Sequence, residues 1–418
     1  MNRRFFIVLI LGFSSGLPMA LLSSTLQAWY AYSGLSVLAT GALSLIGLPY
    51  TYRMFWGPIL DRYSLLKIGK RRSWILAMQF LLLIGFNVMA WFTPEQHPRL
   101  LAFLALILAC FSATQDVAID AHRVEYLPTQ EHALGASLAV FGYRLALLFS
   151  GGFALIMADH WGWGVTYRFM GLVMTIGMIA VLVSKEPQTE LKENNSTGFL
   201  FIEPIKELLS RPGIGPLFLF IFCYKLGEAF TTTTSGIVMP FLIQGLGFSL
   251  ETIGYINKIL GITSILAGGL IAGLVLMRYS LYCSLFFFGL LQAFTNIFFV
   301  VLAMMGKNTV LLAVAVFSDN FAAGMGSTAL VALFMRLVNK QFTGTQFSIL
   351  VAISTIPRII SGPIAASIQM SIGWVGLYEL SVVCALLFIP FLLKIKQQTN
   401  KNEKQSLRDK GNLKTACH

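Results

Sequence analysis

Two carboxylates four residues apart, Asp116 and Asp120, follow a stretch in which Leu100 to Phe111 carries no charge. An α-helix places such a pair on one face, one turn apart. Charge inside an apolar span is costly, so an ionisable group there is a functional residue by default. The chemistry open to the pair is proton carriage, because burial and a like charge one turn away make simultaneous ionisation unfavourable. Asp120 has Arg123 at i+3 and lies nearer the polar end, whereas Asp116 is deeper and has no base within a turn. The proton is therefore expected on Asp116 ahead of Asp120, with Asp319 as the main rival. Glu228 ranks lower because Lys225 stands at i−3. The competing reading is that these acids only pair with cations of neighbouring helices.

A second set has the opposite sign. Arg144, Lys225, Lys258 and Arg358 fall near the middle of apolar segments, where they balance Asp116, Asp120, Glu228 and Asp319. Cations in that setting either pair with the acids or meet carboxylates of a ligand by charge-assisted hydrogen bonds, and both readings stand for each of them. Gln115, Tyr224 and Asn257 lie beside these charges and offer hydrogen bonds to hydroxyls and amides. Arg53, close to a segment end, is expected to snorkel to the interface.

The elements that must position these groups are membrane-spanning helices. Of 418 residues 56% are hydrophobic and 11% charged, far below the charged fraction of about 25% in soluble domains. Apolar stretches of bilayer length recur, none with the alternation of a membrane barrel. Twelve helices are expected, over 5–30, 33–60, 73–92, 99–125, 131–158 and 164–184, then 215–245, 250–277, 281–304, 308–338, 342–370 and 373–395. The basic start Arg3-Arg4 imitates a secretory signal, but Gly12, Gly16 and Pro18 interrupt the run and Gly12-xxx-Gly16 suits close helix packing. Roughly 22 of the 30 Lys and Arg cluster at alternate ends of the spans, which by the positive-inside rule puts both termini in the cytoplasm. The formal charge of +12 is thus a topological signal and does not point to nucleic acid.

The chain divides into a bundle over 1–184, a cytoplasmic linker over 185–214, a second bundle over 215–395 and a basic, disordered tail over 396–418. Within the linker, Phe199 to Leu209 has the pattern of a helix lying on the membrane. An internal repeat supports the division. Gly34, Ser36 and Gly41 recur as Gly247, Ser249 and Gly254 at an offset of 213; Gly162, Trp163 and Tyr167 recur as Gly373, Trp374 and Tyr378 at 211; Arg144 matches Arg358 at 214. Thr231 to Gly236, followed by Pro240, predicts a bend in the seventh helix. The five cysteines and five histidines are dispersed, with no metal-ligand spacing and no phosphate-binding loop, so no cofactor or metal is expected.

Gly57-Pro-Ile-Leu-Asp61-Arg62, followed by Gly69-Lys-Arg-Arg72, resembles the loop signature of the major facilitator superfamily, in which Gly57, Asp61 and Arg62 would form a latch between helices. Here Tyr63 to Ile68 intervene before the second basic group. Taken in order, Gly12-Phe-Ser-Ser-Gly-Leu-Pro18, Leu26-Gln-Ala-Trp29, Ser112-Ala-Thr-Gln-Asp116, Gly142-Tyr-Arg144, Tyr224-Lys-Leu-Gly-Glu228 and Asn257-Lys258 resemble the AmpG-type muropeptide permeases over all twelve helices. The resemblance implies an all-α major facilitator fold in two pseudo-symmetric six-helix bundles. It also implies import of anhydromuropeptides (GlcNAc-anhydroMurNAc-peptides) with protons across the bacterial inner membrane for peptidoglycan recycling, which would feed β-lactamase induction; the protein is expected to be a monomer. The related acetyl-coenzyme A transporters are the runner-up. Drug efflux is disfavoured because residues 131–158 lack the Gly-Pro motif of such antiporters. A membrane-embedded transferase would need a nucleotide, metal or lipid-phosphate site that the sequence does not display.

Overall fold

The computed structural model describes residues 3–52, 60, 63–65, 67–128, 131–184, 205–211, 213–232, 235–338 and 343–396, without the side chains at 132–134, 136, 137, 258, 343–345 and 348. The expected latch residues Gly57, Asp61 and Arg62, Arg53, most of the linker and the tail lie outside the described residues.

The chain is all-helical among the described residues, with no strand. Helix α1 spans Arg3–Tyr32, α2 Val37–Tyr52, α3 Lys70–Met89 and α4 Pro98–Tyr126. Helix α5 covers 132–161 through a π turn at Phe149–Phe153, and α6 is Trp163–Val183. In the second half α7 begins as Ile214–Ala229, and α8, α9 and α10 are Leu250–Arg278, Leu281–Met305 and Thr309–Leu337. Helices α11 and α12, over 343–372 and 374–396, meet at Gly373, whose φ of 74° breaks the helix. Nine described segments are long and apolar enough to cross a bilayer, one of them containing both α11 and α12. The protein is a multi-pass membrane protein.

The seventh helix departs from the expected continuous 215–245. It stops at Ala229 and resumes at Val238–Pro240, which leads into a π turn at Phe241–Gly245. Gly236 at φ 84° turns the chain inside the break, while Pro240 sits in the resumed segment, where its missing N–H is one of the groups a first helical turn leaves unpaired. The bend foreseen from Thr231 to Gly236 is thus a full interruption.

The repeat is visible as geometry. Ser36 and Ser249 each cap the following helix, accepting from Ala39 N at 3.2 Å and Thr252 N at 3.3 Å. Tyr167 packs on Trp29 at 5.0 Å between ring centroids, and Tyr378 on Phe241 at 4.7 Å. Within the halves, α1 crosses α5 so closely that a Cβ on Gly12 would lie 2.8 Å from Ala139 Cα; only a residue without a side chain fits there.

Between the halves, α2 meets α11 and α5 meets α8, two contacts related by the repeat offset. Gly254 lies against Gly152 O, where a Cβ would come to 3.0 Å. Ser44 Oγ donates to Ile359 O at 2.6 Å. At the end opposite Arg3 and Lys396, the Gln244 amide donates to Ala31 O and Leu35 O, both at 2.8 Å.

Candidate functional site

Each half encloses a polar cluster. In the first, Ser15 Oγ on α1 donates to Asp116 Oδ1 on α4 at 2.5 Å, Gln115 Nε2 donates to Ser14 O at 2.9 Å, and Gln79 Nε2 on α3 donates to Ser14 Oγ at 3.0 Å. Asp116 and Gln115 are buried, as their place in the apolar run requires. Asp120 differs: its side chain is 49% exposed and pairs with Arg123 at 3.1 Å, the i+3 partner read from the sequence. An exposed pair of this kind contributes about 0.2–1 kcal/mol.

In the second half Asp319 on α10 is buried and accepts from Thr231 Oγ1 at 2.9 Å and Gln292 Nε2 on α9 at 2.6 Å. Asn296, one turn beyond Gln292, donates to Gly227 O at 2.9 Å and holds α7 against α9. Lys225 Nζ joins Glu228 Oε1 at 2.8 Å and Ser327 Oγ at 2.7 Å. The local i,i+3 pair expected on α7 is formed. Tyr224 is buried in the wall of this half, its ring against Phe220 and Phe388 at 5.4 and 5.3 Å. Asn257 is buried in the π turn Gly254–Leu260 of α8; the Lys258 side chain lies outside the described residues.

Arg144 and Arg358 are both half-buried, and among the described residues neither guanidinium has an ion-pair or hydrogen-bond partner. Arg144 shares an α5 face with Gly152 and Leu155, which touch Gly254 of α8. Arg358 lies one turn from Thr355 and Gly362, which touch Thr51 and Gly41 of α2. Both arginines thus lie on the faces that the two halves turn toward each other. A cation half out of water without a partner is an unfavourable arrangement that an anionic ligand relieves.

Near the chain termini, Arg71 forms a bidentate pair with Glu125, with Nη2 to Oε1 at 2.6 Å. Arg72 caps the end of α6, donating to Val181 O at 3.0 Å and Leu182 O at 2.9 Å, and Arg3 donates to Val183 O at 2.8 Å. Basic groups there satisfy the last carbonyls and suit the helix dipole. The basic run of the second loop thus ties α3 to α4 and α6.

The sequence reading missed Ser15, Gln79, Thr231, Gln292 and Ser327 as members of these clusters. A signal existed for two of them: Gln79 and Gln292 are 213 residues apart, the offset of the repeat, and polar amides in apolar helices are as uncommon as charges. Among the described residues no cluster of three or more His, Cys, Asp or Glu is placed to hold a metal ion.

The pattern of the Major Facilitator Superfamily matches residues 4–362. The chain belongs to the major facilitator superfamily. It is similar to the anhydromuropeptide permease of Escherichia coli K12, with 38% identity over 392 residues that cover 94% of this chain and 79% of that protein. Its fold is that of a solved nucleoside transporter, NupG, at a TM-score of 0.75 with 14% identity over 94% of this chain and 99% of the other. A solved peptide transporter of the POT family, in complex with a thioalcohol-conjugated peptide, superposes at 0.71 with 12% identity over 94% and 96%. Such low identities speak for the fold alone. The two clusters and the two arginines are therefore set inside a major facilitator scaffold.

Proposed function

We propose that this protein is an inner-membrane, proton-coupled importer of anhydromuropeptides, with both termini in the cytoplasm. The observation that carries the reading is the pair Arg144 and Arg358, half-buried on the facing surfaces of the two halves with no anionic partner among the described residues. A muropeptide brings peptide carboxylates to that position, and guanidinium is the side chain best shaped to hold them. Similarity to a protein named anhydromuropeptide permease supports the same substrate class. Gln115, Asn257, Lys225 and Lys258 remain substrate candidates; Tyr224 faces the interior of the second half and serves it there. In this reading the Gln244 contact is at the periplasmic end, and the structure is an inward-facing state of a monomer.

For the proton, Asp319 moves ahead of Asp116. Its hydrogen-bond partners, Thr231 and Gln292, are neutral. Gaining or losing a proton there changes the charge of the second half without breaking an ion pair, whereas Glu228 is held by Lys225 and Asp120 by Arg123. Asp116, with Ser15, is the alternative carrier in the first half.

The test is uptake of labelled anhydromuropeptide into liposomes containing only this protein, with an imposed pH gradient. Accumulation that follows the gradient is expected. Uptake of acetyl-coenzyme A in its place, or chemical conversion of the muropeptide without transfer, overturns the substrate reading. Labelling of a cysteine placed at Lys401 by an impermeant reagent in intact spheroplasts overturns the orientation.

A further inference from the structure

A small cavity lies in the second half, lined by Tyr224, Glu228, Phe288, Gln292, Ala322 and Gly326, with about 10 Å³ open to the centre of a water molecule. That is room for one water. Two buried polar atoms on its wall, Tyr224 Oη and Gln292 Oε1, meet no hydrogen-bond partner among the described residues. Leaving such atoms unpaired costs roughly 1–3 kcal/mol each. Neither can turn away. The Tyr224 ring is held between Phe220 and Phe388, and the Gln292 amide is oriented by its Nε2 donating to Asp319 Oδ1. The reverse amide orientation would set oxygen against the carboxylate. Glu228, on the same wall, keeps a side-chain exposure of 19%, while Asp319 is buried.

We propose that this cavity is a water-binding site, and that its water and the Gln292 amide form one hydrogen-bonded chain from the Glu228 carboxylate to the Asp319 carboxylate. The inference rests on Asp319 being the carboxylate that takes up the proton. With Asp319 ionised every group is satisfied: the Tyr224 hydroxyl donates to the water, the water donates to Gln292 Oε1 and to Glu228, and Gln292 Nε2 donates to Asp319. Protonation adds one O–H bond at Asp319 and breaks none. That O–H needs an acceptor, which Gln292 supplies by turning its amide and giving up the 3.3 Å donation of Nε2 to Asn296 Oδ1. The NH₂ group then faces the cavity, the water accepts from it, and the Tyr224 hydroxyl turns to accept from the water. The proton on a buried acid is thereby read at Glu228, whose partner Lys225 also donates to Ser327 and so ties α7 to α10. Gln292 and Tyr224 are positioning residues in this scheme, and Gly326 leaves the space: a Cβ there would sit 3.1 Å from Tyr224 Oη.

Infrared difference spectra of the full-length protein in H₂¹⁶O and H₂¹⁸O are expected to show one isotope-sensitive, strongly hydrogen-bonded water band that disappears in Gly326→Ala. No such band in the unsubstituted protein, or its persistence in Gly326→Ala, overturns the water site. In proteoliposomes, Gln292→Met and Gly326→Ala are expected to lower gradient-driven accumulation of anhydromuropeptide tenfold or more while exchange of labelled for unlabelled substrate stays within twofold. Asp319→Asn is expected to behave in the same way. If Asp319→Asn retains full accumulation, the placement of the proton fails. If Asp319→Asn loses it and Gln292→Met and Gly326→Ala both keep it, the hydrogen-bonded chain is wrong and Asp319 acts without it.

Discussion

Gly41 of α2 and Gly362 of α11 pack backbone against backbone across the two halves: a Cβ on Gly41 would lie 2.7 Å from Gly362 O, and a Cβ on Gly362 would collide with Gly41 O, Ser235 O and Ser44 Oγ. Gly236, in the break of α7, lies against the same point, its Cβ direction 2.9 Å from Gly41 O. Three segments from both halves thus converge where no side chain fits, and the halves close there because all three positions are glycine.

Gly362→Val is therefore expected to hold this end apart. Overpacking at such a crossing costs about 1–3 kcal/mol, which acts on the closed state alone. A cysteine at Leu35, beside the Gln244 contact, should gain reactivity toward an impermeant reagent by roughly tenfold, since about 1.4 kcal/mol corresponds to a factor of ten. Unchanged reactivity, with the protein folded, would show that the crossing does not control closure.

Arg144→Gln and Arg358→Gln remove two cations that have no partner among the described residues, while keeping bulk and polarity. Hydrogen bonds to charged groups contribute about 1.5–3 kcal/mol, so each change should raise the KM for anhydromuropeptide by roughly tenfold to a hundredfold, with thermal stability preserved or raised because no anion among the described residues loses its partner. A fall in stability with unchanged KM would assign both residues a purely structural part.

Tyr167 and Tyr378 are repeat mates with opposite hydrogen-bond status. Tyr167 Oη donates to Leu21 O at 2.9 Å, at the π turn of α1, while Tyr378 Oη is buried without a partner among the described residues. Tyr167→Phe should destabilise by about 1 kcal/mol, whereas Tyr378→Phe should be neutral or stabilising. Melting of the two variants in one detergent decides it, and equal losses would contradict the assignment.

Arg71→Gln leaves the Glu125 carboxylate, 21% exposed, without its bidentate partner. A loss of roughly 1–3 kcal/mol is expected for a partly buried pair broken on one side. Adding Glu125→Gln should restore part of it, because the carboxylate that lost this partner is then neutral. A double variant no more stable than Arg71→Gln would mean that the pair is not the cause.

Much of this was legible in the chain. The length of the apolar runs set the helices, since hydrocarbon tolerates no unpaired backbone, and the repeat offsets anticipated Gly162 with Gly373, Ser36 with Ser249, and Arg144 with Arg358. Pairs formed within one helix, Asp120 with Arg123 and Lys225 with Glu228, follow from i,i+3 spacing alone. Contacts between helices were a different matter. Nothing in the sequence states that Gln292 and Thr231 converge on Asp319, that Ser15 reaches Asp116, or that Tyr224 turns into a half and not between the halves, because rotation of a helix about its axis is set by packing against its neighbours. Burial of two carboxylates could be read from hydropathy; which donors reach each of them was decided by the tertiary structure, since a hydrogen bond needs donor and acceptor within about 3 Å and the donors come from helices distant in sequence.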